Sequence, residues 1–285
     1  MDFIDRLIEL ALDEDLGAAG DVTTLALVPP QAQGRATLLA KEEMVLSGLS
    51  AFARVFHRVD PSVQVRLSRH DGDLIAPRTD VATVEGPLRA LLTAERTALN
   101  IVQRTSGIAT LARRAAEAVK GTKLKVLDTR KTSPGMRGLS KAAVRDGGSW
   151  NHRFGLFDGL MIKDNHIAAV GGSVREALRR AKANAPYLVK IEIEVTTLEQ
   201  LEEVLEEGAD VVLLDNMDDA MLAEAVRRTA GRAKLEVSGG VTVERLPKIA
   251  ALGVDFVSLG ALTHSARAVD LSLEIEIAGA GTLTK

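Results

Sequence analysis

The sequence predicts an α/β protein, with an N-terminal layered α+β domain followed by a parallel α/β sheet or barrel. Three observations carry this reading. The chain of 285 residues exceeds one minimal domain and suits a single α/β barrel with an attachment. From about residue 109, short apolar runs alternate with amphipathic stretches at the spacing of one strand–helix unit. Polar residues and glycines gather directly after those runs and not before them, which is how a barrel's catalytic end looks in one dimension.

The first domain is placed at residues 1–108. Apolar side chains at Phe3, Ile4, Leu7, Ile8, Ala11 and Leu12 fall on one helical face. Pro29 and Pro30 close a loop. Strands are expected at ATLLA 36–40, VQVRL 63–67 and VATVEG 81–86, with DGD 71–73 as turn chemistry. From Pro87 the pattern is helical, with an interruption expected near Ser106-Gly107. The second domain, residues 109–265, carries buried-strand signals at LKVLD 124–128, GLMIK 159–163, LVKIEIEV 188–195, DVVLLD 210–215, KLEVS 234–238 and VDFVSLG 254–260.

Composition narrows the function. Hydrophobic residues at 46% and charged residues at 26% exclude a fully disordered or collagen-like chain. Lys plus Arg at 36 against Asp plus Glu at 39 gives a net charge of −3, the wrong balance for a nucleic-acid-binding domain. One Trp, one Tyr and six Phe leave few platforms for stacking bases. The absence of cysteine excludes disulfides, thiolate metal sites and a cysteine nucleophile. The acidic, amphipathic start lacks a basic leader pattern, and no apolar run reaches the ~20 residues of a membrane span. A cytoplasmic protein without nucleic-acid or membrane partners is expected.

The residues after the strands define the candidate site. Thr129-Arg130-Lys131-Thr132 follow the first, Asp164-Asn165-His166 follow Lys163 at the second, and Asp215-Asn216, Ser238-Gly239-Gly240 and Gly260-Ala261 close the last three. Arg130 and Lys131, beside Arg137 and Trp150-Asn151-His152-Arg153, point to an anion, because clustered cations repel one another unless a ligand compensates. Arginine suits a carboxylate through its planar fork. Glu194 and Asp215 read either as structural partners of the lysines or as holders of a Mg²⁺-phosphate ligand or ribose hydroxyls. Glu192 is assigned the other strand parity, towards the helix layer or a structural role. The late glycines suit a phosphate. His57 and His70 read as surface residues, His166 and His264 stay ambiguous, and no histidine pair has zinc spacing. Arg96 alone reads as a surface arginine. The bottom-up reading therefore ends at an acidic small molecule plus a phosphorylated sugar, with Mg²⁺.

Specific blocks go further. DTRKTSPGMR 128–137, KAAVRDGGSWNHRFGLFDGLMIKDNHI 141–167, LLDNM 213–217, SLGALTHS 258–265, AERTALNIVQRTSGIAT 94–110 and EDLGAAGDVTT 14–24 resemble the quinolinate phosphoribosyltransferase family. The resemblance implies an N-terminal α/β sandwich domain, to which residues 266–285 return, and an incomplete parallel α/β barrel of six or seven strands. It implies a homodimer, or a larger assembly of dimers such as a hexamer, with active sites shared between subunits. It implies a quinolinate pocket of Thr129, Arg130, His152, Arg153 and Lys163, with Arg96 reaching in from the partner. Lys131, Glu194 and Asp215 take the catalytic roles, the two acids also holding Mg²⁺, directly or through water or substrate, and ribose hydroxyls. Ser238, Gly239, Gly240, Leu259, Gly260 and Ala261 cradle the 5′-phosphate. The implied reaction joins quinolinate to 5-phosphoribosyl-1-pyrophosphate and yields nicotinate mononucleotide, pyrophosphate and CO₂ in NAD synthesis. Three rivals are a transport-associated relative with another substrate, a lyase using Lys163 or Lys131 as a Schiff base, and a metabolite-binding regulator.

Overall fold

The computed structural model describes residues 2–277, and these form two compact units. The first comprises Met1–Arg113, Thr132–Gly148 and Thr263–Lys285, of which residues 2–277 are described; the second comprises Arg114–Lys131 and Ser149–Leu262.

In the first unit, the helix Phe3–Leu16 starts where the Asp2 carboxylate accepts the Asp5 N–H, a side-chain cap for a donor the helix cannot use. The strands are β1 (Gln33–Ala40), β2 (Met44–Val45), β3 (Gln64–Leu67), β4 (Leu74–Ile75) and β5 (Thr79–Pro87). β1 pairs antiparallel with β5, and β5 with β3, while β2 and β4 form a separate two-stranded ribbon. Leu38, Ala82 and Val84 from the sheet, Phe52 and Phe56 from the helix Leu49–Val59, and Leu91 and Ala98 from the helix Leu88–Ala118 are fully or almost fully buried in one core. The two phenylalanines meet edge to face at 5.1 Å, the arrangement their quadrupoles favour.

The helix from Leu88 does not break at Ser106-Gly107; it runs unbroken to Ala118. Gly107 marks a close approach instead. A Cβ there would sit 1.9 Å from the Arg267 carbonyl oxygen. The strap that follows is tied to the same helix: Arg104 Nη2 donates to the Thr263 carbonyl at 2.9 Å, and Gln103 Nε2 donates to the Leu271 carbonyl at 2.8 Å.

In the second unit, β6 (Lys125–Leu127), β7 (Leu160–Ile162), β8 (Ile191–Val195), β9 (Val211–Asp215), β10 (Lys234–Ser238) and β11 (Phe256–Ser258) form one parallel sheet in the order β6-β11-β10-β9-β8-β7. Consecutive strands are neighbours and β6 returns to pair with β11, so the sheet curls into a barrel left open between β6 and β7. At that opening, Trp150 makes a single parallel bridge to Leu127, the stub of a seventh position. This is the incomplete parallel barrel expected. β12 (Leu271–Ile277) then pairs antiparallel with β1 in the first unit's sheet; residues 278–285 of the expected return lie outside the described residues.

The division differs from a single cut near residue 108, because Thr132–Gly148 is counted in the first unit. Leu139 lies in that unit's apolar core, the Ser47 hydroxyl donates to Asp146 at 2.7 Å, and Arg113 Nε donates to the Gly147 carbonyl at 3.0 Å. Contacts this distant in sequence leave no local pattern.

Candidate active site

Strand register sets which side chains share the barrel interior. Ile191, Ile193, Val195, Val212, Leu214, Leu235, Val237 and Val257 are buried apolar residues, and they alternate with Glu192, Glu194, Asp215, Glu236, Ser238 and Ser258. Period two puts the first set towards the helices and the second set inside. Glu192 is therefore not of opposite parity to Glu194. Residues two apart share a face, and Glu192 points inwards to lie 3.0 Å from His152.

The cations sit at the β6 end and the Trp150 stub. Arg130 and Arg153 are both half-buried. Burial first, and the charge of Arg130 second, press the Arg153 guanidinium below its ordinary value, the sign expected when two cations share a poorly hydrated space. Arg153 Nη1 donates to the Gly159 carbonyl at 2.8 Å. Lys131 is exposed, and its backbone N–H donates to Thr129 Oγ1 at 3.1 Å. The Asp128 carboxylate, fully buried, joins the two segments by accepting from Asn151 Nδ2 at 2.7 Å and from the His152 N–H at 2.8 Å.

Next round the rim, Lys163 Nζ donates to Glu194 Oε2 at 2.9 Å. The Lys163 backbone N–H donates to His166 Nδ1 at 3.0 Å, which gives His166 a local capping role. At the ends of β9 and β10, Asp215 Oδ1 accepts from the Ser238 hydroxyl at 2.6 Å, Asp215 Oδ2 accepts from Asn216 Nδ2 at 2.7 Å, and the Asn216 N–H donates to the Ser238 carbonyl at 3.0 Å. Gly239 is compelled there. Its φ is +91°, and a Cβ would lie 2.2 Å from Asn216 Oδ1. Gly240 also has positive φ, at +57°. Since β10 pairs with β11, Ser238-Gly239-Gly240 and Leu259-Gly260-Ala261 end neighbouring strands. Leu259 is buried, and its N–H donates to the Leu127 carbonyl at 2.9 Å.

Thus Thr129, Arg130, Lys131, His152, Arg153, Lys163, Glu194, Asp215, Ser238, Gly239, Gly240, Leu259, Gly260 and Ala261 all belong to the second unit, at or next to strand ends. Arg96 belongs to the first, exposed on the helix Leu88–Ala118. Sequence reasoning missed Asp128 and Glu236. Their signals were present: Asp128 closes a strand directly before Thr129, and Glu236 precedes Ser238 by two and so shares its face.

Comparison with known proteins decides the family. Residues 21–106 match the quinolinate phosphoribosyl transferase N-terminal domain and residues 108–274 its C-terminal domain. The chain belongs to the quinolinate phosphoribosyltransferase family. Among relatives of this family, a probable nicotinate-nucleotide pyrophosphorylase (carboxylating) of Bacillus subtilis is 43% identical over 274 residues, covering 96% of this chain and 94% of the relative. A chloroplastic nicotinate-nucleotide pyrophosphorylase (carboxylating) of Arabidopsis thaliana is 43% identical over 294 residues, covering 96% and 83%. The crystal structure of NadC from Streptococcus pyogenes superposes with a TM-score of 0.91 at 41% identity, covering 96% of each chain. No helix among the described residues is long and apolar enough to cross a membrane.

Proposed function

We propose that this chain transfers the phosphoribosyl group of 5-phosphoribosyl-1-pyrophosphate to quinolinate and that the product loses CO₂, giving nicotinate mononucleotide and pyrophosphate. The observation that carries the reading is the half-buried pair Arg130 and Arg153, with burial and then the charge of Arg130 lowering the pKa of the Arg153 guanidinium. Two guanidinium groups so placed call for a ligand with more than one negative charge, and quinolinate has two adjacent carboxylates. Thr129 and Lys163 complete the pocket, with His152 next to Arg153, and Arg96 enters from a second copy in a homodimer, an assignment supported by its exposed position. The glycine corner of Ser238, Gly239 and Gly240 with Leu259, Gly260 and Ala261 takes the 5′-phosphate, since bare backbone lets N–H groups approach an anion closely.

The pyridine nitrogen attacks C1 of the ribose as the C1–O bond to pyrophosphate breaks. Lys131 stabilises the negative charge gathering on the leaving group, and Glu194 or Asp215 faces the positive character at C1. The same carboxylates are hard oxygen donors on adjacent strands and fit Mg²⁺, which is usually bound by one or two carboxylates together with substrate phosphates. Bound there, Mg²⁺ would neutralise pyrophosphate charge. N-ribosylation makes the ring cationic. Breaking the bond from C2 to its carboxylate then leaves an electron pair next to a positive nitrogen, and a proton replaces the departed CO₂.

A cytoplasmic location completes the reading, and cell fractionation tests it. The direct test of function is the stoichiometric release of pyrophosphate and CO₂ from quinolinate, phosphoribosyl pyrophosphate and Mg²⁺. Release of neither product sinks the proposal. Failure of borohydride to trap the protein on a carbonyl substrate would dispose of the Schiff-base alternative.

A further inference from the structure

The reaction scheme leaves a buried cluster beneath the arginines without a task. His152 Nε2 lies 3.0 Å from Glu192 Oε2 and 3.6 Å from Glu236 Oε1, and the two carboxylate side chains are only 10% and 3% exposed. The other ring nitrogen, Nδ1, accepts the Arg153 backbone N–H at 2.7 Å. A ring nitrogen that accepts carries no hydrogen, so the proton sits on Nε2 and points at Glu192. The imidazole is then neutral and engaged at both nitrogens, which leaves it no charge for a substrate carboxylate. Its backbone is fixed as well, because the His152 N–H donates to buried Asp128, which also holds the Asn151 amide. The ring thus links Glu192 on β8 to the Arg153 backbone, and the His152 backbone is anchored to Asp128 at the end of β6.

We propose that His152 is a positioning residue: Glu192, packed against Glu236, holds its ring, the ring holds the Arg153 backbone, and Asp128 holds the turn from the other side, so that the Arg153 guanidinium is aimed beside Arg130. Burial first, and the charge of Glu192 second, push the Glu236 carboxyl up to about 8. The proposal rests on the quinolinate reading but assigns His152, Glu192, Glu236 and Asp128 to aim rather than to contact.

The test is a ring-nitrogen spectrum of the full-length enzyme labelled with ¹⁵N-histidine. The sequence has five histidines, and a His152→Gln sample identifies the signal. The expected result is a neutral Nε2–H tautomer both before and after saturation with quinolinate. A change to doubly protonated imidazolium on binding makes His152 a direct partner of the substrate and overturns the proposal. Binding supplies a second readout. Glu192→Leu should weaken quinolinate by about tenfold or more while leaving phosphoribosyl pyrophosphate within about twofold, and Glu192→Gln, whose amide oxygen still accepts from Nε2, should recover most of the loss. Unchanged quinolinate affinity in a folded Glu192→Leu protein also overturns it. If Glu192→Leu does not fold, the wild-type spectrum decides alone. Wild-type protein that binds no quinolinate at all removes the functional reading beneath, a failure distinct from that of the tautomer.

Discussion

Arg153 is half-buried beside the charge of Arg130, and its guanidinium donates to the Gly159 carbonyl. Two half-buried cations that act on one another suit a ligand carrying two negative charges, so removing either arginine should destroy the anion pocket while leaving the rest of the fold intact. Arg130→Ala and Arg153→Ala are expected to keep the parental melting temperature and to lose at least about 100-fold in quinolinate affinity; calorimetric titration checks both. Gly239 obeys a different constraint. Its positive φ and the 2.2 Å approach of Asn216 to a notional Cβ mean that Gly239→Ala must distort the Asp215–Ser238 corner. A loss above about 2 kcal/mol in denaturant unfolding is expected, with a raised KM for phosphoribosyl pyrophosphate. Glu236 gives a pH signature. Its carboxyl is moved from 4.5 to about 8, so between those values the native state keeps a proton that the unfolded chain releases. Stability therefore falls as pH rises through that window. Glu236→Gln cannot ionise, so its stability relative to the parent should climb between pH 5 and pH 8, and parallel profiles would remove the buried proton.

Among the elements, the six barrel strands were legible because each is a short run dominated by apolar residues that ends in polar residues or glycine, and their order follows from consecutive strand–helix units. The rim residues were legible for the same reason, as the positions after those runs. What each side chain touches was not. The parity of Glu192 ran against its own spacing, and Asp128 and Glu236 drew no reading of their own, because the partners that give them a role lie on other elements. The helix expected to break near Ser106-Gly107 runs through instead, although Gly107 is a weak helix former. Its real constraint, the Arg267 carbonyl 160 positions later, writes nothing near residue 107. The sign of one substitution separates the two views. Helix propensity makes Gly→Ala favourable by about 1 kcal/mol, whereas overlap with a backbone oxygen makes Gly107→Ala destabilising by more than that amount. Thermal unfolding of the single variant decides.

For the whole molecule, the first unit's long helix carries Arg96 on its surface and the second unit carries the cationic rim. The proposed sharing of the site between two copies gives a prediction that a single-subunit site does not. Arg96→Ala and Lys131→Ala proteins, each inactive, should regain up to about a quarter of the wild-type activity when mixed dimers form, because one site of a mixed dimer then has both residues intact. No recovery with subunit exchange proven by mass spectrometry would place Arg96 outside the site. The most direct measurement of the central claim is the affinity of the wild-type enzyme for quinolinate against nicotinate, which lacks one carboxylate, by calorimetry under identical conditions. A pair of half-buried arginines built for two carboxylates should bind nicotinate at least about 100-fold more weakly; equal affinities would contradict the account.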